Sequence, residues 1–459
     1  MSLLGQLILL GWIPLVVVLF ASLPSRRAVI AAFLLAWLFL PMAEYRIQGL
    51  PDYTKMSATC LGVILGTMLF DLPRLLSVRP GWTDLPMAIW CVCPLASSVS
   101  NGLGVYDGLS AVLNQFTTWG LPYLIGRLHF TDAASLKELA VGIFVGGLLY
   151  VPLCLYEIRM SPQLHTMLYG FHQHSFAQTM RWGGWRPTVF MQHGLMVGMW
   201  MCMASLLGLW LWMSGTVRRV WGVPTGWLLL PLLITAILCK STGALALLVL
   251  GLLSLLTARW LRSPLAVWAL LILSPLYMTL RAGGQWSGQS LVTLAERLTG
   301  QQRAGSLQYR MHNEDLLAAR ALQRPLFGWG GWGRARVIDE TSGRDISVTD
   351  GLWIIALGNH GVVGLASLTA SMLLPGVMLC LRRRVGEWSM PAFSPAAVLA
   401  VVVTLYMIDG VLNAMINPVF ILLAGALGTL AKRHGVCRPA SFVACAPPAV
   451  QRMDAVVAS

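Results

Sequence analysis

The arginines of two long polar segments are the first side chains in this sequence whose chemistry suggests a site. The segments are residues 158–187 and 281–351. The arginines concerned are Arg181, Arg186, Arg281, Arg297, Arg303, Arg310, Arg320, Arg324, Arg334, Arg336 and Arg344. Because a guanidinium group matches the oxygens of a phosphate, a subset of them could bind an anion, whereas the others would be solvated loop charges.

Asp350 stands at the end of the second segment, where the chain enters an apolar stretch. A carboxylate at that place is either a helix N-cap or a general base, and it could serve as both. Asp409 and Asn413 lie inside a later apolar stretch. Polar groups in such a stretch are functional candidates, and hydrogen bonding between helices is the role that we favour for these two.

Histidines accompany the same segments: they are His165, His172, His174, His193 and His312. Because His172 and His174 are only two residues apart and Glu157 is the only nearby carboxylate of the first segment, we predict no metal site and no cofactor. His193, His312 and Arg324 are kept as secondary candidates for the functional site.

A glycine-rich stretch, residues 328–333, reads Gly-Trp-Gly-Gly-Trp-Gly and formally matches the dinucleotide fingerprint GxGxxG. That fingerprint requires a preceding strand, a following helix and an acidic partner in a βαβ unit, whereas this stretch follows Arg324-Pro325 between apolar segments. We therefore reject a dinucleotide site. We expect the glycines and tryptophans to fold the loop tightly against the bilayer surface.

The composition identifies the elements that must position these residues. The chain has 57% hydrophobic and only 11% charged residues, with a mean hydropathy of +0.70. Apolar runs long enough to cross about 30 Å of hydrocarbon recur along its whole length. These features predict an all-α integral membrane protein with 12 or 13 transmembrane helices.

The predicted spans are residues 3–20, 28–43, 56–71, 85–100, 108–126, 139–157, 188–213, 226–239, 242–258, 264–280, 352–381, 393–413 and 417–431. Lys and Arg outnumber Asp and Glu by 32 to 18, but many of the basic residues lie in short connections, as the positive-inside rule requires. We therefore expect no nucleic-acid partner. The same rule places the N-terminus and both long polar segments outside, which makes residues 281–351 a large outer (periplasmic) loop, and it places the C-terminal tail inside.

The outer loop contains one predicted short helix, residues 306–323, which stops before Pro325 and lies at the membrane surface. We divide the chain into three transmembrane parts and a tail. N-terminal transmembrane helices occupy residues 1–179, a core with the outer loop occupies 180–380, and C-terminal helices occupy 381–433. Residues 434–459 are predicted to be a disordered cytoplasmic tail.

Several short motifs in the core resemble the superfamily of O-antigen ligases and Wzy-type polysaccharide polymerases. They are Arg186-Pro187-Thr188-Val189-Phe190-Met191-Gln192-His193-Gly194, Lys240-Ser241-Thr242-Gly243-Ala244, Ser306-Leu307-Gln308-Tyr309-Arg310, Arg324-Pro325-Leu326-Phe327-Gly328-Trp329-Gly330, and Asp350 followed by Gly358-Asn359-His360-Gly361-Val362-Val363-Gly364. The likeness covers about residues 180 to 380, and this extent sets the limits of the core given above. Asp350 stands where ligases usually carry a histidine, as in some polymerases, and Thr242 replaces the arginine of a Ser-Arg-Gly turn.

The resemblance implies a GT-C-like, metal-independent glycosyltransferase in the bacterial inner membrane, with its active site facing outside. Its donor would be an undecaprenyl-diphosphate-linked glycan and its acceptor a glycan or lipid, in cell-surface polysaccharide synthesis beside other polysaccharide-assembly proteins. We assign the diphosphate to Arg310 and Arg186, with Lys240 as a third contact, and the role of base to Asp350. Polymerase and ligase remain open, and the alternative function is a transporter or flippase of lipid-linked glycans.

Overall fold

The computed structural model describes residues 1–46, 51–339 and 341–428, apart from the side chains of residues 298, 299, 302 and 303. The predicted disordered tail, residues 434–459, lies outside the described residues, as do the last residues of the predicted span 417–431.

The described chain is mostly helical. Its α-helices are α1 (Leu3–Leu10), α2 (Trp12–Ser22), α3 (Ser25–Phe39), α4 (Lys55–Phe70), α5 (Leu72–Leu76), α6 (Leu85–Ser100), α7 (Val105–Gln115), α8 (Leu121–His129), α9 (Ala133–Met160), α10 (Leu164–Tyr169), α11 (Gly194–Met213), α12 (Thr225–Leu238), α13 (Thr242–Leu261), α14 (Leu265–Ala282), α15 (Gln289–Thr299), α16 (Gln301–Ala321), α17 (Leu352–Arg382), α18 (Ser394–Leu412) and α19 (Pro418–Leu427). A π-helical turn, Phe116–Gly120, joins α7 to α8. Short 3₁₀ helices occupy Trp82–Asp84, Phe176–Thr179 and Val385–Ser389.

Strands occur only as three two-residue antiparallel hairpins in the described ranges. They pair β1 (Glu44–Tyr45) with β2 (Tyr53–Thr54), β3 (Met180–Arg181) with β4 (Gly184–Trp185), and β5 (Arg219–Val220) with β6 (Val223–Pro224). Each hairpin lies in a connection between two helices, so the strands belong to loops and not to the hydrophobic core.

Six helices of the described chain have the length and apolar composition to cross a membrane, namely α9, α11, α13, α14, α17 and α18. The pair α1 and α2, bent by 47°, would make a seventh, and α4, α12 and α19 are shorter apolar helices. Seven of the 13 predicted spans fall on these long helices and the α1–α2 pair, and three fall on the shorter apolar helices. Spans 28–43, 85–100 and 108–126 fall on α3, α6 and α7–α8, which belong to neither group, so the number of 12 or 13 crossings stays a prediction. The protein is therefore a helical membrane protein, in agreement with its composition.

The core lies around α11 and α18, which are buried on nearly all sides and pack directly against each other. Both helices are apolar around their whole circumference, as expected for helices enclosed by other helices. At one end of the bundle, Arg259 donates to the carbonyl of Met213 (2.7 Å) and Ser394 bonds to Ser214 (2.7 Å). At the opposite end α11 and α13 begin and α18 ends, and we call this the site end.

Helix α17 is broken at Gly361, where the backbone has φ 65° and ψ −164°. The break receives the segment after Pro325: Val362 N–H donates to the Pro325 carbonyl (2.7 Å) and Trp329 N–H to the Gly358 carbonyl (2.8 Å). A Cβ at Gly361 would lie 2.3 Å from the Leu326 carbonyl oxygen, so the close approach requires glycine. Two of the motifs quoted above are thus bonded to each other.

The glycine-rich stretch 328–333 folds tightly, as predicted, with positive φ at Gly328, Gly330 and Gly333. The stretch contacts the end of α6, and a contact with the bilayer surface stays a prediction. The side-chain amide of Asn101 at the end of α6 donates to the Gly328 carbonyl (2.9 Å), and no strand or βαβ unit surrounds the stretch in the part of the chain that the structure describes.

The predicted helix 306–323 exists as α16 but begins five residues earlier. Its buried residues include Met311, Leu317 and Ala321, whereas Leu322, the residue after its end, is 45% exposed. The neighbouring amphipathic helix α15 was not predicted.

Candidate anion-binding site at the end of the helix bundle

Arg186 and Arg310, the two arginines assigned to an anion from the sequence, line one cavity of about 450 Å³ at the site end. The other charged or polar residues of its lining are Arg181, Ser241, Thr242, Ser306, Asp409 and Asn413. The remaining wall is apolar and includes Leu195, Leu247 and Ile408. The cavity therefore combines cations with an apolar surface, which suits the charged head of an amphiphile.

Arg186 follows hairpin β3–β4 and is only 3% exposed. Its Nη2 donates to the Lys240 carbonyl (3.0 Å). Two glycines of α11 provide the space beside it: a Cβ at Gly194 would lie 2.3 Å from Arg186 Cδ, and one at Gly198 would lie 2.4 Å from Ser241 Cβ. Glycines one turn apart on α11 therefore let Arg186 and the start of α13 sit against the helix.

The first turn of α13 faces the same cavity through Ser241, Thr242 and Gly243. Within the described structure Ser241 is the N-cap residue but makes no capping hydrogen bond with its side chain. Because the first N–H groups of a helix have no partner inside the helix and carry the positive end of its dipole, this turn adds to the attraction of the two arginines for an anion.

Lys240 has a backbone φ of 53° and does not line the cavity. Its ammonium group donates to the Arg181 carbonyl (2.9 Å), which ties hairpin β3–β4 to the beginning of α13. Lys240 therefore holds the wall of the cavity in place, and a direct contact between Lys240 and a bound anion stays a prediction.

Arg310 lies on α16 and reaches the end of α18. Its Nη1 donates to the Leu412 carbonyl (2.8 Å) and to Asn413 Oδ1 (3.3 Å). Its Nε lies 3.5 Å from Asp350 Oδ2. Asn413 in turn donates to Asp409 Oδ1 (2.8 Å), so that two carboxylates flank Arg310, one directly and one through an amide.

Asp350 is not a helix N-cap. The N-cap of α17 is Gly351, and in the described structure no side chain caps this helix. The Asp350 side chain is 36% exposed and turns toward Arg310, which is 26% exposed. Of the two roles open from the sequence, the capping role is therefore wrong. Asp350 does not line the cavity and is connected to it through its contact with Arg310.

A buried ion pair fixes the helix that carries Arg310. Arg281, at the end of α14, places Nε 3.2 Å from Glu314 Oε2, and the two side chains are 1% and 6% exposed. Tyr277 and Trp353 also donate to Glu314, at 2.7 and 3.2 Å. Burial raises the pKa of the Glu314 carboxyl, and these hydrogen bonds and Arg281 act in the opposite direction. The network joins α14, α16 and α17 one helical turn beyond Arg310.

The three secondary candidates, His193, His312 and Arg324, do not line this cavity. His193 caps α11, since its Nδ1 accepts from Leu195 N–H (3.0 Å), while Nε2 lies 3.1 Å from Gln178 Oε1. His312 and Arg324 line a separate cleft. In the described ranges no group of three or more His, Cys, Asp or Glu side chains has the arrangement of a metal site.

The sequence does not show that the end of α18 belongs to the site. Asn413 makes the predicted hydrogen bond between helices, since its Oδ1 accepts from Arg310 of α16 (3.3 Å), and the structure also places Asp409 and Asn413 in the cavity lining. Their position inside an apolar stretch was the available signal. Arg181 is one of the eleven arginines of the two polar segments, and only the fold shows that it lines the cavity.

Comparisons with known proteins add no family. No family model matches the chain, and no curated protein is significantly similar to it. The assignment of function therefore depends on the motifs and on the geometry of the cavity.

Proposed function

We propose that the protein is a membrane glycosyltransferase of the O-antigen ligase and Wzy-type polymerase kind, with a GT-C-like architecture. It would transfer a glycan from a polyprenyl diphosphate, such as undecaprenyl diphosphate, to a glycan or lipid acceptor at the outer face of the bacterial inner membrane. The observation that carries this proposal is the convergence of Arg186, Arg310 and the first turn of α13 on one cavity with an apolar wall.

The cavity suits a lipid diphosphate for two reasons. Arg186, Arg310 and the helix N-terminus stabilise the negative charge that grows on the diphosphate oxygen as the sugar leaves. The leucines and Ile408 of the lining can accept the beginning of an apolar chain.

The reaction is a single displacement. The oxygen of the acceptor hydroxyl forms a bond to the anomeric carbon as the bond from that carbon to the diphosphate oxygen breaks, and the diphosphate leaves with the electron pair. The hydroxyl proton passes to the Asp350 carboxylate. Arg310 contacts Asp350 and lines the cavity, so it would couple the leaving group to the base. Attack from the opposite side inverts the anomeric configuration.

A transporter or flippase of lipid-linked glycans is the second candidate, because transporters commonly contain interrupted helices. Helix α17 is interrupted at Gly361. The break is filled by backbone hydrogen bonds from residues 325–330 rather than left open to a ligand, which favours the transferase.

The test is an assay of the purified protein with lipid-linked oligosaccharide, following release of polyprenyl diphosphate and growth or transfer of the glycan. Arg310→Ala should lower the rate by about a hundredfold to a thousandfold, the usual effect of removing one group that stabilises developing charge. Asp350→Asn should lower it by about a hundredfold to ten-thousandfold, the usual contribution of a general base. Arg310→Lys keeps the charge and should retain part of the activity. Arg344→Gln, an exposed arginine of the same loop, is the matched control and should leave the rate unchanged.

Two results would contradict the proposal. One is full activity of Arg310→Ala and Asp350→Asn in protein that is folded and inserted. The other is movement of the lipid-linked glycan between leaflets without any product, which would establish transport instead.

A further inference from the structure

A second cleft, of about 840 Å³, lies between α16 and the loop that follows it. It contains more positive charge than the first cavity: Arg320, Arg324, Arg334 and Arg336 line it together with His312 and Asp315. The volume is within the range of clefts that enclose a drug-sized organic ligand, and therefore a di- or trisaccharide.

The charges of this cleft are not balanced. Its carboxylate, Asp315, is paired with Arg281 (2.9 Å), and Arg336 is paired with Asp345 (2.9 Å). Among the residues that the structure describes, Arg320, Arg324 and Arg334 form no ion pair with a carboxylate. Three guanidinium groups are therefore left to attract anions into the cleft.

Two of these arginines are held in place by Trp329. The guanidinium carbon of Arg320 lies 3.5 Å from the centre of the indole ring and that of Arg324 lies 4.9 Å from it. The indole N–H donates to the Arg320 carbonyl (2.8 Å). Stacking on an aromatic ring fixes side chains that would otherwise lose rotamer freedom on binding, so the arginines are preorganised for a ligand.

Hydrogen-bonding amides and apolar surface accompany the charges. Asn101, Gln323, Leu316 and Ile338 belong to the lining. A sugar chain presents hydroxyl groups and apolar ring faces as well as any acidic substituents, so it matches this mixture better than a lipid phosphate, which offers a single charged centre.

We propose that this cleft binds an anionic oligosaccharide whose carboxylates pair with Arg320, Arg324 and Arg334. Helix α16 connects the two sites, since Arg310 lines the first cavity and His312, two residues later, lines the cleft. If the proposed glycosyl transfer holds, on which this part of the inference rests, the glycan that the enzyme handles carries acidic sugars.

The test measures binding of two matched trisaccharides, trigalacturonate and neutral maltotriose, to the full chain in phosphatidylcholine nanodiscs by calorimetry. Trigalacturonate should bind at least about tenfold more tightly than maltotriose. Arg320→Gln and Arg334→Gln should each weaken its binding by about tenfold to a hundredfold, the value of one charge-assisted hydrogen bond. Arg334 does not stack on Trp329, so its variant tests the cleft without disturbing that contact. Arg344→Gln is the control and should leave binding unchanged.

Equal affinity for the two trisaccharides, or unchanged binding in both variants, would overturn the proposal. An equal loss in Arg344→Gln would also overturn it, because binding would then reflect loop charge in general. The same measurement is repeated in nanodiscs that contain phosphatidylglycerol. Displacement of trigalacturonate by this lipid would assign the cleft to lipid headgroups and overturn the proposal. Because the readout is binding, a protein that binds trigalacturonate at Arg320 and Arg334 but transfers no glycan would refute the transferase and leave the cleft assignment standing.

Discussion

Replacing Glu314 by leucine should release α16 from the bundle. The substitution removes the partner of Arg281, which is 1% exposed and cannot reach water without moving the helix. It also leaves the donors of Tyr277 and Trp353 without their acceptor. Arg281 keeps Asp315 and the Met311 carbonyl, so its charge is not wholly uncompensated.

The magnitude follows from these contacts. Breaking a buried ion pair by removing one partner costs about 3 to 5 kcal/mol. The same change in the free energy of opening of α16 should accelerate amide hydrogen exchange along Gln301–Ala321 by roughly a hundredfold to a few thousandfold. Arg310 lies one turn before Glu314, so a loosened α16 should also lose its contact with the end of α18.

Asp315→Asn is the matched control. Asp315 is the next residue and contacts the same arginine at 2.9 Å, but its side chain is 54% exposed. Exposed ion pairs contribute less than about 1 kcal/mol, so exchange in this variant should change by less than about tenfold. Exchange within tenfold of wild type in Glu314→Leu, or equal acceleration in Asp315→Asn, would refute the reasoning that burial determines the strength of this network.

Two further predictions concern the break in α17 and the short helix α10. Gly361→Ala should destabilise the protein by about 1 to 3 kcal/mol, because φ is 65° there and a Cβ would meet the Leu326 carbonyl. Thermal unfolding measures this, and Gly331→Ala is the control, because a Cβ at Gly331 meets nothing within 4 Å. An unchanged unfolding temperature in Gly361→Ala would contradict the described break in α17. Burial lowers the pKa of His165 to about 4, and its Nε2 accepts from Met42 N–H (3.1 Å). The unfolded chain therefore binds the proton first, and this contribution to stability is complete above about pH 6.5 and is lost as the pH falls toward 4. The unfolding midpoint should fall over that range more steeply in wild type than in His165→Gln, and parallel profiles would show that this histidine does not titrate on unfolding.

The sequence by itself determined where the helices are. The apolar runs predicted α11, α13 and α18 to within a few residues at most ends, because about 20 apolar residues are needed to cross a bilayer and polar residues end the run. It also determined that arginines concentrate in two segments. Helix α15 was not predicted because it is short and amphipathic and lies in a polar loop, where no such length requirement applies.

Only the tertiary structure decided which polar groups meet. Arg186 and Arg310 are far apart in sequence and share a cavity because the starts of α11 and α13, the end of α18 and the middle of α16 meet there. Arg324 has the same residue type in the same loop as Arg310, yet it lines another cleft. Likewise, Asp350 faces Arg310 instead of capping α17, because Gly351 occupies the cap. Residue type limits what a side chain can do, whereas its partners are set by packing between helices, and packing depends on the whole chain.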